Sequence, residues 1–122
     1  QDCASTLNRF FTLQIKGDIN TVSLLRKLRK YIYKEGMPDQ DGLQTGMKAL
    51  LTTDLRRSIK NINHPVILLH GKNDAIVPPD AARWLHDNLQ DSELIILPDC
   101  GHIPFLSHTD QFLSSIFKVA RI

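Results

Sequence analysis

The residues best suited to chemistry in this sequence sit in two short polar runs, His70-Gly71-Lys72-Asn73-Asp74 and Asp99-Cys100-Gly101-His102. An aspartate that accepts a hydrogen bond from a histidine Nδ1–H fixes the imidazole tautomer and stabilises the imidazolium, which leaves Nε2 free as a general base. Asp74 and His102 have the types for that pairing. Taken singly, each has a plainer use, Asp74 as a loop or helix-cap residue and His102 as a turn residue. The context of the two runs favours the pair. Each closes an apolar stretch, Val66-Ile67-Leu68-Leu69 and Leu94-Ile95-Ile96-Leu97, of the kind that suits a strand buried on both faces. Ligands bind beyond the carboxyl ends of the strands in an open parallel α/β sheet. Adjacent strands therefore bring Asp74 and His102 together.

The elements that must position them follow from periodicity. Leu7, Phe10, Phe11 and Ile15 recur at helical spacing over residues 6–16, and Gly17 is a natural stop. From Thr21 to Lys34, Leu24, Leu25, Leu28, Tyr31 and Ile32 share one side of a helical wheel, while Arg26, Lys27, Lys30 and Lys34 share the other. A third helix carries Leu43, Met47, Leu50 and Leu51, with Asp39 or Asp41 as its N-cap. A short helical turn is expected from Asp54 to Arg57. The texture changes at Pro65: strand, a helix from Pro79 to Leu89, a second strand ended by Pro98, a loop to Ser107, and a last helix from Thr109 to Val119. The fold class is α/β, with a helical segment over residues 1–60 and a strand-helix-strand-helix unit of a parallel sheet over residues 61–122. Two strands make a poor parallel sheet, because both edges and faces need cover. A missing N-terminal half or a second copy is expected to complete it.

Composition narrows the function classes. With 122 residues, 42% hydrophobic and 23% charged, the chain is not disordered or collagen-like. No apolar run approaches the roughly 20 residues of a membrane span. Residues 1–63 hold eleven Lys/Arg against six Asp/Glu, a balance of +5, and residues 64–122 hold four against seven, a balance of −3. Such asymmetry suggests two surfaces with different partners. The acidic second half and the lack of interleaved aromatics argue against nucleic acid. Cys3 and Cys100 form no C-x-x-C pair, and His64, His70, His86, His102 and His108 form no H-x-x-x-H pair, so neither a metal nor any other cofactor is expected. Two thiols behind no visible leader point to a reducing compartment, the cytoplasm.

The segment from Pro65 to Pro78, followed by Gly101-His102-Ile103-Pro104-Phe105, resembles the last third of the α/β-hydrolase fold, in which the catalytic order is Ser, Asp, His. Asp74 and His102 match the last two members. The stretches Arg9 to Gln14, Thr53 to Arg56 and His102 to His108 look like the pimeloyl-acyl-carrier-protein methyl ester esterases of biotin synthesis. That resemblance implies a cap whose Phe10, Phe11, Thr12, Leu13 and Gln14 line an acyl pocket beside His102. It also gives the basic face a use: Arg9, Arg26, Lys27, Arg29 and Lys30 would dock an acidic acyl carrier protein bearing a pimeloyl methyl ester. A solvated helix face is the plainer alternative. Thr109 stands where these enzymes often have Pro, which is neutral because Thr can cap the last helix.

A serine hydrolase needs a nucleophile at a G-x-S-x-G turn and an oxyanion hole. None of Ser5, Ser23, Ser58, Ser92, Ser107, Ser114 and Ser115 has glycines at both flanking positions, and Cys100 lies too close along the chain to aim at the His102 ring. The sequence thus carries an acid and a base without a nucleophile, and alone should be inactive. Two readings follow: the C-terminal part of a carboxylic-ester hydrolase (this esterase, or another small carboxylesterase or lactonase acting on small esters), or a non-catalytic binding module that uses the basic cap. A G-x-S-x-G segment encoded before Gln1 would decide for the first.

Overall fold

The computed structural model describes residues 3–34, 36 and 39–120. Among the described residues, six helices and two strands run in the order α1 (Cys3–Ile15), α2 (Thr21–Lys34), α3 (Gln40–Thr52), β1 (Val66–Gly71), α4 (Pro79–Asn88), β2 (Ser92–Leu97), α5 (Pro104–Ser107) and α6 (Thr109–Ala120), with a 3-10 turn at Ser58–Asn61 before β1. The strands pair in parallel from Val66 opposite Ser92 to Gly71 opposite Leu97. α4 forms the crossover, entered through Pro78 and Pro79, whose fixed φ suits a first helical turn. β1 and β2 end level with one another, so the two polar runs leave the sheet side by side.

The core sits where α1 and α2 meet the segment after β2. Phe11, Ile15, Leu24, Leu28 and Ile103 are buried together, with Leu7, Leu25, Ile32 and Leu106 packed against them. Helical periodicity explains the selection: Leu7, Phe11 and Ile15 recur every fourth residue, as do Leu24, Leu28 and Ile32. Tyr31, expected on the apolar side of α2, falls one position off that row and is 63% exposed. Ile103 ties the two halves of the chain into this one cluster.

Three local expectations change. Asp54 leads into a turn in which the Leu55 carbonyl accepts the N–H groups of Ser58 and Ile59, so the turn runs past Arg57. The Asp54 carboxylate accepts the Arg56 backbone N–H at 3.0 Å and pairs with the Arg56 guanidinium, so the side chain holds its own backbone two residues on. The 3-10 turn itself is Ser58–Asn61. The run read as a loop to Ser107 contains α5, one turn of helix with Pro104 in its first turn. Finally, the strands are half-buried rather than sealed on both faces; only Gly71 and Leu97 are buried in them. With a single neighbour strand each among the described residues, much of both faces remains open.

The N-cap of α3 is Asp39, whose side chain accepts the Gly42 N–H at 2.9 Å. Its apolar stripe forms as the periodicity predicts, yet Leu43, Met47, Leu50 and Leu51 are all exposed.

Candidate active site

Asp74 lies in the turn after β1. Its backbone N–H reaches the Gly71 carbonyl at 3.3 Å, and its Oδ1 accepts the N–H groups of Ile76 at 2.8 Å and Val77 at 2.9 Å. This Asx-type turn explains why a loop holds a carboxylate so firmly. The other oxygen, Oδ2, accepts from His102 Nδ1 at 2.8 Å. The Asp74 side chain is 3% exposed and that of His102 33%. Nδ1–H therefore points inward to the carboxylate, and Nε2 is left as the basic nitrogen.

The carboxylate stays ionised against its surroundings. Burial pushes the Asp74 carboxyl up, but the bonds from Val77, His102 and Ile76 together outweigh it and hold the carboxyl below its ordinary value. A buried acid that keeps its charge is what an imidazolium on His102 needs. His70, to which the sequence reading gives no role, is a further neighbour of Asp74. Its Nε2 lies 2.9 Å from the Val77 carbonyl, which can only accept, so Nε2 carries the proton. The same nitrogen is 3.4 Å from Asp74 Oδ2. The available signal was its position at the end of a strand, four residues before Asp74.

Close backbone contact joins the two loops. Lys72 N–H reaches the Leu97 carbonyl and Asn73 N–H the Cys100 carbonyl, each at 2.9 Å. A Cβ on Gly71 would collide with the carbonyls of Gly101 and Cys100, so glycine is required for this approach. Cys100 is sealed beneath the loop, and burial above all pushes its thiol up to about 11. It is a protonated packing group and no nucleophile.

The residues expected to line an acyl pocket divide by helix face. Phe11 is 2% exposed and packs edge-on against Tyr33. Phe10 and Leu13 point outward at 45% and 44% exposure. Thr12 is exposed and its hydroxyl donates to the Asn8 carbonyl. Gln14 meets the dyad through its backbone, its carbonyl accepting the His102 N–H at 3.0 Å. Arg9, Arg26, Lys27, Arg29 and Lys30 are all exposed, and Arg29 Nε donates to Asn8 Oδ1 at 3.0 Å.

Known proteins are similar to this chain in sequence and in fold. A family profile described as alpha/beta hydrolase fold matches residues 8–109. Pimeloyl-(acyl-carrier protein) methyl ester esterases are similar in sequence: that of Nitrosospira multiformis is 39% identical over 99% of this chain and 46% of its own length. That of Nitrosomonas europaea is 44% identical over 93% of this chain and 45% of its own. The chain spans about half the length of the curated relatives it matches. A bromoperoxidase from Bacillus anthracis superposes with a TM-score of 0.87 at 20% identity, over all of this chain and 45% of that one. An esterase from Exiguobacterium antarcticum does so at 0.79 and 20%, over 96% and 42%; both show likeness of fold. An acid after one parallel strand, a histidine after the next and a profile spanning most of the sequence converge on one conclusion. The chain belongs to the alpha/beta hydrolase fold family.

Proposed function

We propose that Asp74 and His102 are the acid and base of a Ser-Asp-His triad whose serine and oxyanion hole lie outside these 122 residues, in a cytoplasmic carboxylic-ester hydrolase. The observation that carries this reading is the 2.8 Å bond from His102 Nδ1 to a carboxylate that is 3% exposed and held ionised. In the reaction, His102 Nε2 takes the serine proton as the oxygen attacks the ester carbonyl. Protonated His102 then gives that proton to the departing alcohol, leaving an acyl-enzyme. Water, deprotonated by the same nitrogen, attacks the acyl carbon, and His102 returns that proton to the serine oxygen as the acid is released. Asp74 holds the tautomer and balances the imidazolium throughout.

The proposed substrate is a pimeloyl methyl ester carried on an acyl carrier protein, with methanol as the departing alcohol; small esters are also accepted. The names of the similar sequences support it, together with an exposed basic face at Arg9, Arg26, Lys27, Arg29 and Lys30 that suits an acidic carrier. Residues 1–60 act as the cap, presenting Phe10 and Leu13, and residues 61–122 belong to the catalytic core. The test uses the full-length protein with the carrier-bound methyl ester and p-nitrophenyl butyrate as substrates. His102→Ala is expected to lower kcat on both by about 10⁴-fold or more. Turnover near the parental value would remove His102 from the mechanism.

A further inference from the structure

We infer that the turn between α1 and α2 is the frame that holds the two dyad loops in register, with Asp18 as its positioning residue; the inference rests on the reading of Asp74 and His102 given above. The residue immediately before each member of the dyad is tied to this turn. Asn73, before Asp74, donates its Nδ2 to the Gly17 carbonyl at 3.1 Å. Gly101, before His102, donates its N–H to Asp18 Oδ1 at 2.9 Å. His102 itself donates its N–H to the Gln14 carbonyl at 3.0 Å. Gln14 near the end of α1, with Gly17 and Asp18 in the turn, thus holds the chain on both sides of one short side-chain bond.

Packing shows how closely the pieces are held. A Cβ on Gly101 would lie 2.8 Å from both Asp18 Oδ2 and the Lys16 carbonyl. Gly17 has a φ of 90°, and a Cβ there would collide with Asn73. The turn reverses the chain while pressing on both loops, so a displacement of the turn is passed to both.

Asp18 is an expensive way to close a helical hairpin. Its side chain is 0% exposed, and Oδ2 has no hydrogen-bond partner among the described residues. A small polar or apolar residue would join two helices without a buried carboxylate. What Asp18 adds is a side-chain oxygen that accepts the Gly101 N–H from within the turn. The nearest cationic candidate is His108, whose Nδ1 lies 3.8 Å from Asp18 Oδ1 and 2.8 Å from the Ser107 hydroxyl. Asp18, Cys100 and His108 bring donor atoms within 4.8 Å of one another, which is also metal-ligand spacing. Here Asp18 Oδ1 and His108 Nδ1 already face Gly101 and Ser107, and the Cys100 thiol keeps its proton. The cluster therefore reads as an anchor in place of an ion site.

The test compares Asp18→Ala, Asp18→Asn and Asn73→Ala in the full-length protein, by steady-state kinetics on p-nitrophenyl butyrate and by the far-downfield NMR signal of His102 Nδ1–H. Asp18→Ala is expected to lower kcat about 10- to 100-fold with KM unchanged and to weaken that signal. Asp18→Asn, which keeps an acceptor oxygen for Gly101, should retain kcat within about threefold of the parent. Asn73→Ala, at an exposed site, should lower kcat a few-fold, and it decides the matter should Asp18→Ala fail to fold. Parental kcat and an unchanged signal in the alanine variants would overturn the inference. So would stoichiometric binding of added Zn²⁺ that Asp18→Ala abolishes, because Asp18 would then be a ligand. If His102→Ala retained activity, the catalytic reading would fail instead, and the NMR signal would still report whether Asp18 sets the Asp74–His102 bond.

Discussion

Replacing Asp74 by Asn is the sharpest perturbation of the dyad, because the surrounding geometry dictates how the amide must sit. Oδ1 accepts two backbone N–H groups, from Ile76 and Val77. An amide NH₂ in that place would set donors against donors, so the asparagine oxygen stays there and the NH₂ faces His102. The ring must then offer a lone pair at Nδ1 and carry its proton on Nε2, the nitrogen proposed as the base. A wrong tautomer of this kind lowers kcat by about 10⁴-fold. Stability changes much less. Three bonds to a charged acceptor, worth about 1.5–3 kcal/mol each, become neutral ones worth about 0.5–1.5, a loss of roughly 3–4.5 kcal/mol in all. Removing a buried charge offsets part of that. The parental carboxyl is held below its ordinary value, so its contribution is present above the usual aspartate range near 3.9 and vanishes as pH falls through the folded-state value. The stability curves of parent and Asp74→Asn are therefore expected to converge in acid. The assay is kcat on p-nitrophenyl butyrate for the full-length protein, with ¹⁵N NMR of the imidazole. A kcat within tenfold of the parent, or a His102 ring still protonated at Nδ1, would refute the reasoning.

Gly71→Ala should destabilise by about 1–3 kcal/mol or more, because its Cβ meets two backbone carbonyls, which cannot rotate aside; an unchanged midpoint of thermal unfolding would show that the loops tolerate separation. Reversing charge with Arg26→Glu and Lys30→Glu should raise KM for the carrier-bound ester and leave p-nitrophenyl butyrate unaffected, both side chains being exposed. Equal changes on both substrates would indicate a folding defect in place of a docking face.

The dyad was legible because it depends on two things that sequence displays, strand-like apolar runs and the polar residues that end them. α2 was legible for a similar reason: its leucines and its lysines and arginines separate cleanly by face. Less visible were features set by contact between distant segments. Asp18 reads as an ordinary turn residue, and its bond to Gly101 spans 83 positions, so no local pattern announces it. The division of Phe10 from Phe11 also escapes a reading of the stretch as one pocket-lining unit, since only docking of α1 against α2 and Ile103 decides which ring turns inward. α5 went unread because a four-residue helix has too few positions to show a period.

The sealed thiol of Cys100 makes the loop that carries His102 a clock. Its sulfur is inaccessible in the closed fold and holds its proton to about 11, so an alkylating reagent meets it only while the loop is lifted from Gly71 and the strand ends. With Cys3 replaced by Ser, the rate of modification at Cys100 at saturating reagent becomes the opening rate of the loop, and at low reagent its opening equilibrium. One native cysteine thus times the departure of His102 from Asp74 without any probe being introduced.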